Sequence, residues 1–193
     1  MSYRKKRAAG KADMWVIGKS PQKITKAYTF GKQLGQPGAF GEAFLVTKKD
    51  TQQKLACKVI SKAKFNASNE RAYQYSQLRN EITLMRDFEH PNIIKFSDVF
   101  EDDKAVYIVM ECCSGGELFD RIKAKPTSKY SEIDAAKVCG EILEGIKYLH
   151  DQKIAHCDLK PDNFLFIDPS ENAQLKVIHQ ALDIMHHLCH KNV

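Results

Sequence analysis

Apolar positions recur along this chain at two different periods, and the change between them divides it. From Tyr28 the pattern is strand-like. Tyr28–Gln36 and Gly41–Lys49 flank a turn rich in Gly and Pro, which is a hairpin signal, and Lys54–Lys62 makes a third strand after the turn at Asp50-Thr51. The period then lengthens. Leu78, Ile82 and Met85 fall at helical spacing, so the spacing predicts one long helix from Glu70 to Phe88. His90-Pro91-Asn92 ends it, because proline disfavours the helical conformation in the residue before it. Ile93–Val99 and Lys104–Glu111 read as two more strands, Gly115-Gly116 breaks the chain, and a short helix follows from Glu117 to Ala124. Ser131 with Asp134 resembles a capping box, and Ala135, Val138, Cys139, Ile142, Ile146 and Leu149 form one apolar stripe behind it. A stripe that wide needs a packing partner. The polar loop His156–Asn163 and two short strands, Phe164–Ile167 and Leu175–Ile178, complete the pattern. The expected fold class is α+β: an antiparallel sheet with one long helix, then a mainly helical half, with the boundary at Cys112–Gly116.

Composition narrows this picture only a little. A hydrophobic content of 43% and a charged content of 28% fit a globular protein and exclude a disordered one. Part of the formal net charge of +6 sits in Arg4, Lys5, Lys6, Arg7 and Lys11. That run reads as a solvated, disordered leader, against the alternatives of a nuclear signal or a patch for acidic surfaces. No apolar run approaches a membrane span, and Ser2 stands where N-myristoylation needs Gly. The six cysteines form no CxxC pair, as expected of free thiols in a reducing compartment. The expected location is the cytoplasm, with the nucleus as the alternative, and neither nucleic acid nor membrane is expected as a partner.

Three constellations carry chemistry. Gly35-Gln36-Pro37-Gly38-Ala39-Phe40-Gly41 is a glycine-rich strand-turn-strand whose backbone N–H groups can approach an anion with no Cβ in the way. Lys58 lies at the centre of the apolar strand Leu55-Ala56-Cys57-Lys58-Val59-Ile60, which is costly without a partner, and Glu81 on the long helix can supply one. The loop His156-Cys157-Asp158-Leu159-Lys160-Pro161-Asp162-Asn163 offers a carboxylate to accept a hydroxyl proton, a lysine to balance phosphate charge and an amide oxygen for a hard cation. Each has a bland counterpart: a plain hairpin, a lysine on an exposed face, a polar turn.

Their order and spacing together resemble the eukaryotic protein kinases. The glycine loop, Ala56-Cys57-Lys58, Arg79-Asn80-Glu81, His90-Pro91-Asn92-Ile93 and His-x-Asp-Leu-Lys-Pro-x-Asn appear in family order over about Tyr28 to Ile178. Asp-Leu-Lys-Pro-x-Asn is the serine/threonine form. Ala56-Cys57-Lys58-Val59-Ile60-Ser61-Lys62 and Ser114-Gly115-Gly116-Glu117-Leu118-Phe119-Asp120-Arg121-Ile122 are most similar to the calcium- and calmodulin-dependent branch. The resemblance implies a kinase-like five-stranded upper lobe over residues 25–111 after the leader 1–24. It also implies a partial, mainly helical lower lobe over 112–178 and a non-family tail over 179–193. It further implies ATP and Mg²⁺ as cofactors, and a protein substrate with basic residues near the target Ser or Thr. Gly35, Gly38, Phe40 and Gly41 would belong to the loop over the phosphates, and Lys58, held by Glu81, would bind the α- and β-phosphates. Ala43, Ala56 and Leu165 would sandwich adenine, Met110 would be the gatekeeper, and Glu111 and Cys113 would offer adenine their backbone. Glu117 would lie near the ribose and meet a basic residue of the substrate. Asp158 would be the catalytic base, Lys160 would steady the transferred phosphoryl group, Asn163 would bind Mg²⁺ and His156 would pack beneath the loop.

The chain departs from the family after Ile178. Asp-Phe-Gly would follow there, but the sequence reads His179-Gln180-Ala181-Leu182 and runs on to Val193. That aspartate bridges metal and phosphates, so the chain is expected to be truncated before this motif and crippled as an enzyme. The alternatives are a non-catalytic nucleotide-binding or scaffold module and a non-functional fragment. No Asp-x-Asp-x-Asp-Gly calcium loop occurs. The glycine loop has one residue more than the family pattern, to be absorbed as a bulge, and includes Pro37, which has no N–H to offer a phosphate. Cys157 replaces the family's arginine. His186 and His190, four apart, would share a helix face as a zinc pair, but no second ligand cluster completes a site, and an incidental tail is the simpler reading.

Overall fold

The structure is a computed structural model that describes residues 15–18, 20, 22–35, 41–65, 71–127 and 129–178. Gly38, Phe40 and the histidine-rich tail lie outside the described residues. A four-residue helix, α1 (Ile24–Ala27), leads into β1 (Tyr28–Leu34), β2 (Gly41–Lys48) and β3 (Lys54–Ser61). A 3-10 helix over Lys62–Phe65 precedes α2 (Arg71–Arg86), and β4 (Phe96–Glu101) and β5 (Ala105–Glu111) close the sheet. All pairs are antiparallel, in the order β1-β2-β3-β5-β4. The expected five-stranded sheet with one long helix is what the chain forms.

Side-chain alternation gives this sheet two buried faces. Ile60, Val106, Ile108 and Met110 pack with Tyr75, Leu78, Ile82 and Met85 of α2. Tyr28, Val46, Leu55, Cys57, Phe100 and Val109 form a second cluster with Ile24 of α1. The extra residue expected in the Gly35–Gly41 turn lies outside the described residues, but the strand before the turn is itself irregular. Phe30 pairs with Val46 but Gln33 with Phe44, so β1 carries one more residue than β2 over this stretch. A one-residue bulge therefore lies in β1, ahead of the turn.

The second half holds α3 (Leu118–Ala124), α4 (Glu132–Asp151), a 3-10 helix at Pro161–Asn163, and the paired strands β6 (Phe164–Phe166) and β7 (Leu175–Val177). Ser131 caps α4 by accepting the Asp134 N–H at 3.1 Å, and its own hydroxyl donates to the Asp134 carboxylate at 2.8 Å. The expected cap forms, with the acid gripping the hydroxyl instead of the Ser131 backbone N–H.

The His90-Pro91-Asn92 turn joins the two halves. The Asn92 amide donates to Leu175 O (3.0 Å), the Asn92 carbonyl accepts the Val177 N–H (2.7 Å), and the His90 ring stacks on Tyr148 of α4. Glu141 of α4 accepts the Leu175 N–H at 2.7 Å. Gly145 lets α4 come this close: a Cβ there would lie 2.9 Å from Val177 Cγ2 and 3.1 Å from the Asn92 carbonyl. The linker 112–116 is held the same way, with the Ser114 and Gly115 N–H groups donating to the carbonyls of Ile167 and Phe166.

Part of the segment read as a leader is packed. Val16 is buried in the main core cluster and Trp15, Ile17 and Gly18 contact the sheet and α2. The reading of a wholly solvated leader therefore fails at Val16, which is fully buried, although Gly18 is exposed.

Candidate active site

Strand register assembles the upper part of the site. Ala43 pairs with Lys58, Ala56 pairs with Met110, and Lys58 pairs with Ile108. Paired residues share a face and alternate residues of one strand do too, so Ala43, Ala56, Lys58 and Met110 occupy the side of the sheet that faces α2. Glu81 reaches that side from the helix. Its carboxyl is pushed up to about 7 by burial, and the nearby charge of Lys58 opposes the rise. One carboxylate oxygen of Glu81 is buried and has no hydrogen-bond partner among the described residues. An acceptor left open beside a lysine suits a site that gathers cations around an anionic ligand. Gly41 opens β2 opposite Ile60, where a Cβ would run into the Val59 carbonyl, so only glycine fits this start of the strand. Gly35 closes β1 with a φ of 63°, in the left-handed region.

A second group is gathered by the loop after α4. Lys160 Nζ lies 2.9 Å from the Asp158 carboxylate, and the Asn163 amide donates to the same carboxylate at 3.0 Å and to the Asp158 carbonyl at 2.7 Å. The loop is fastened from below. His156 Nε2 meets the Ile178 carbonyl at 2.7 Å, and its Nδ1 accepts the Asp158 N–H at 3.3 Å, a pairing that suits the neutral ring with its proton on Nε2. Burial pushes the His156 pKa down, which favours the same neutral form. The Asn163 carbonyl accepts the Ile178 N–H at 2.8 Å. Asp158, Lys160 and Asn163 are thus brought together, with His156 beneath them as expected. Cys157 takes a φ of 62°, a left-handed conformation that turns the chain just before Asp158.

The two groups are bridged by Glu117, Leu165, Lys176 and Glu111. Glu117 and Leu165 form an isolated β-bridge, and Leu165 pairs with Lys176. Lys176 Nζ in turn meets the Glu111 carboxylate at 2.9 Å, and the Lys95 N–H donates to that carboxylate at 2.6 Å. Cys113 is packed against the main core, and burial pushes its thiol up to about 12, so its side chain stays protonated. Burial, then Asp162 and Asp120, push the Glu117 carboxyl upward. Lys176 was not singled out from the sequence. Its signal was the one that marked Lys58, a lone lysine in the apolar strand Leu175-Lys176-Val177.

An Mg²⁺ ion fits only part of this donor set. The Asn163 amide nitrogen donates to Asp158 twice, which leaves Oδ1 as a hard oxygen donor, but position 179 offers histidine where the family has a carboxylate. Among the described residues no group of three or more His, Cys, Asp or Glu is placed to hold a metal.

A family model of the protein kinase domain matches residues 28–182. The chain belongs to the protein kinase family. It is similar to calcium-dependent protein kinase 7 of Arabidopsis thaliana, at 43% identity over 83% of this chain and 29% of the relative. It also resembles kinase 24 of the same plant, at 44% over 81% and 26% respectively. Calcium-dependent protein kinase 20 of Oryza sativa subsp. japonica gives 43% over 83% and 28%. The chain therefore spans under a third of the length of these curated relatives. No helix among the described residues is long and apolar enough to cross a membrane.

Proposed function

We propose that this chain carries the ATP-binding and catalytic-loop portion of a protein serine/threonine kinase that moves the terminal phosphoryl group of ATP to a substrate hydroxyl. The observation that carries this reading is the packing of Lys160 and Asn163 onto one Asp158 carboxylate. In this reading Ala43, Ala56 and Leu165 enclose adenine, Met110 guards the pocket behind it, and the backbones of Glu111 and Cys113 hydrogen-bond its edge. Gly35, Gly38, Phe40 and Gly41 belong to the turn over the phosphates. Lys58, steadied by Glu81, binds the α- and β-phosphates. Asp158 accepts the proton of the attacking hydroxyl, while Lys160 neutralises charge on the phosphoryl group in flight. Asn163 would hold Mg²⁺, which supplies positive charge to the nucleotide phosphates. Glu117 meets a basic residue of the protein substrate. The site works in the cytoplasm or nucleus, on neither nucleic acid nor membrane.

A second reading rests on one observation. His179-Gln180-Ala181 stands where the family places Asp-Phe-Gly, which favours a chain that binds nucleotide and transfers phosphate weakly or not at all. Calcium dependence, which names the relatives, has no Asp-x-Asp-x-Asp-Gly loop to serve it in these 193 residues.

Thermal unfolding with ATP, with and without Mg²⁺, tests binding. A rise in midpoint that Lys58→Met removes is the expected result, and no rise at millimolar ATP defeats both readings. Phosphate transfer to a basic peptide that Asp158→Asn abolishes supports the first reading, and binding without transfer selects the second.

A further inference from the structure

Glu101, the last residue of β4, is 1% exposed although it is charged. A buried carboxylate needs several partners, and this one has four. One oxygen accepts the Val16 N–H at 2.7 Å and meets Lys62 Nζ at 2.7 Å. The other accepts the N–H groups of Ile17 at 2.7 Å and Gly18 at 3.1 Å. Three successive N–H groups converge on one acid, and Gly18, with a φ of 101°, turns the chain directly after them in a way that other residues resist. Ser20 adds two more bonds to the Glu101 backbone: its N–H donates to the carbonyl at 3.0 Å, and its hydroxyl accepts the Glu101 N–H at 2.7 Å.

The carbonyls of the same segment face the other way. Arg79 of α2 donates its Nε to the Val16 carbonyl and its Nη2 to the Trp15 carbonyl at 2.9 Å. Val16 itself is buried with Leu78 and Ile82 of α2, and Lys62 Nζ sits 4.1 Å above the Trp15 ring. The segment is therefore a clasp, with its N–H groups on β4 and its carbonyls on α2.

What the clasp holds is the helix that carries Glu81. Arg79 and Glu81 are two residues apart, about 200° around the helix, so Arg79 grips the side away from the nucleotide face. Fixing that side fixes the direction of Glu81. Such a restraint is needed, because a buried carboxylate with an unpartnered oxygen would relax by swinging toward water. We propose that Trp15–Gly18 is a strap, and Arg79 a positioning residue, that hold α2 with Glu81 beside Lys58, so that strap docking and nucleotide binding support one another. The last clause rests on the nucleotide site proposed above. Coupling of this kind is reciprocal: whatever factor the strap adds to nucleotide affinity, bound nucleotide returns to strap docking.

Trp15 is the only tryptophan in the sequence, so its emission reports the strap directly in the full chain. In Arg79→Gln and Val16→Asp the emission is expected to shift to that of a water-exposed indole. Amide exchange over Arg71–Arg86 should rise by about fivefold or more while β2, β3 and β5 keep their protection. Arg79→Lys should restore part of both. An emission unchanged in both variants, or a shifted emission with α2 exchange at the wild-type rate, overturns the proposal. Should exchange rise everywhere in Arg79→Gln, the milder Val16→Ala decides: a rise confined to α2 supports the strap, and a uniform rise refutes it. ATP titration forms a separate arm. Wild type that binds ATP with the same affinity as Arg79→Gln removes the coupling to the site. Wild type that binds no ATP removes the nucleotide reading, while emission and exchange still judge the hold on α2.

Discussion

Helix α2 buries Tyr75, Leu78, Ile82 and Met85 against the sheet, whereas the longer α4 buries only Gly145 and Leu149 of its own residues. Their sequences advertise apolar stripes of the same kind. In α4 the stripe residues Ala135, Val138, Ile142 and Ile146 are half-buried and Cys139 is exposed. Beside the stripe, Ile133 is 83% exposed and Leu143 63%. One side of α4 is used, where Gly145 and Leu149 meet β7 and the His90-Pro91-Asn92 turn. The other side, with Leu143 and Ile133, is exposed. An amphipathic period therefore says that a helix has a face to bury, while burial itself depends on a neighbour being present. The sheet that carries Lys58 rests on a closed core, and the loop of Asp158 follows one half-covered helix.

Substitutions along the two helices test this contrast. The largest effect is expected from Leu78→Ala in α2, about 2–5 kcal/mol of stability lost in denaturant unfolding, because Leu78 is completely buried. A small loss there would mean that α2 is not seated on the sheet.

Next comes Glu81→Gln, whose effect depends on pH. The folded carboxyl titrates at about 7 against an ordinary 4.5, so between those values the folded state holds a proton that the unfolded chain has released. This contribution to stability is complete below about pH 4.5 and is lost as pH rises through about 7. Relative to wild type, Glu81→Gln should gain on the order of 3 kcal/mol between those limits. A flat difference across that range would show that Glu81 is solvated.

Gly145→Ala should cost about 1–3 kcal/mol, since the new methyl must displace Val177 or the Asn92 carbonyl. It should also slow any phosphate transfer by shifting β7, the strand that ends beneath the loop of Asp158. The smallest effect is expected from Leu143→Ala, within about 0.5 kcal/mol, as befits an exposed position. A loss as large as that of Leu78→Ala would mean that this face of α4 is covered in solution, and the comparison of the two helices would fail.

Much of the site could be read from residue types. Lys58 stood out because a lysine in an apolar strand demands a partner, and Asp158, Lys160 and Asn163 because that spacing between a helix and a strand suits a loop that gathers charge. Lys176 carries the same signal as Lys58, but its partner Glu111 lies on another strand and no spacing in the sequence points to it. The clasp on Glu101 was not legible at all. It is made by backbone N–H and carbonyl groups, which every residue carries, acting across more than sixty positions of the chain.

The sequence by itself determined the order of strands and helices, the glycine that β2 needs at its start, and the chemical types that meet at the site, because periodicity and steric demand are local properties of the chain. Tertiary structure alone decided that β1 bulges between Phe30 and Gln33, that α4 leaves its stripe only partly covered, and that Trp15–Gly18 is gripped between β4 and α2. Those outcomes depend on which distant groups come within hydrogen-bonding or packing distance, and that is fixed only when the whole chain has closed upon itself.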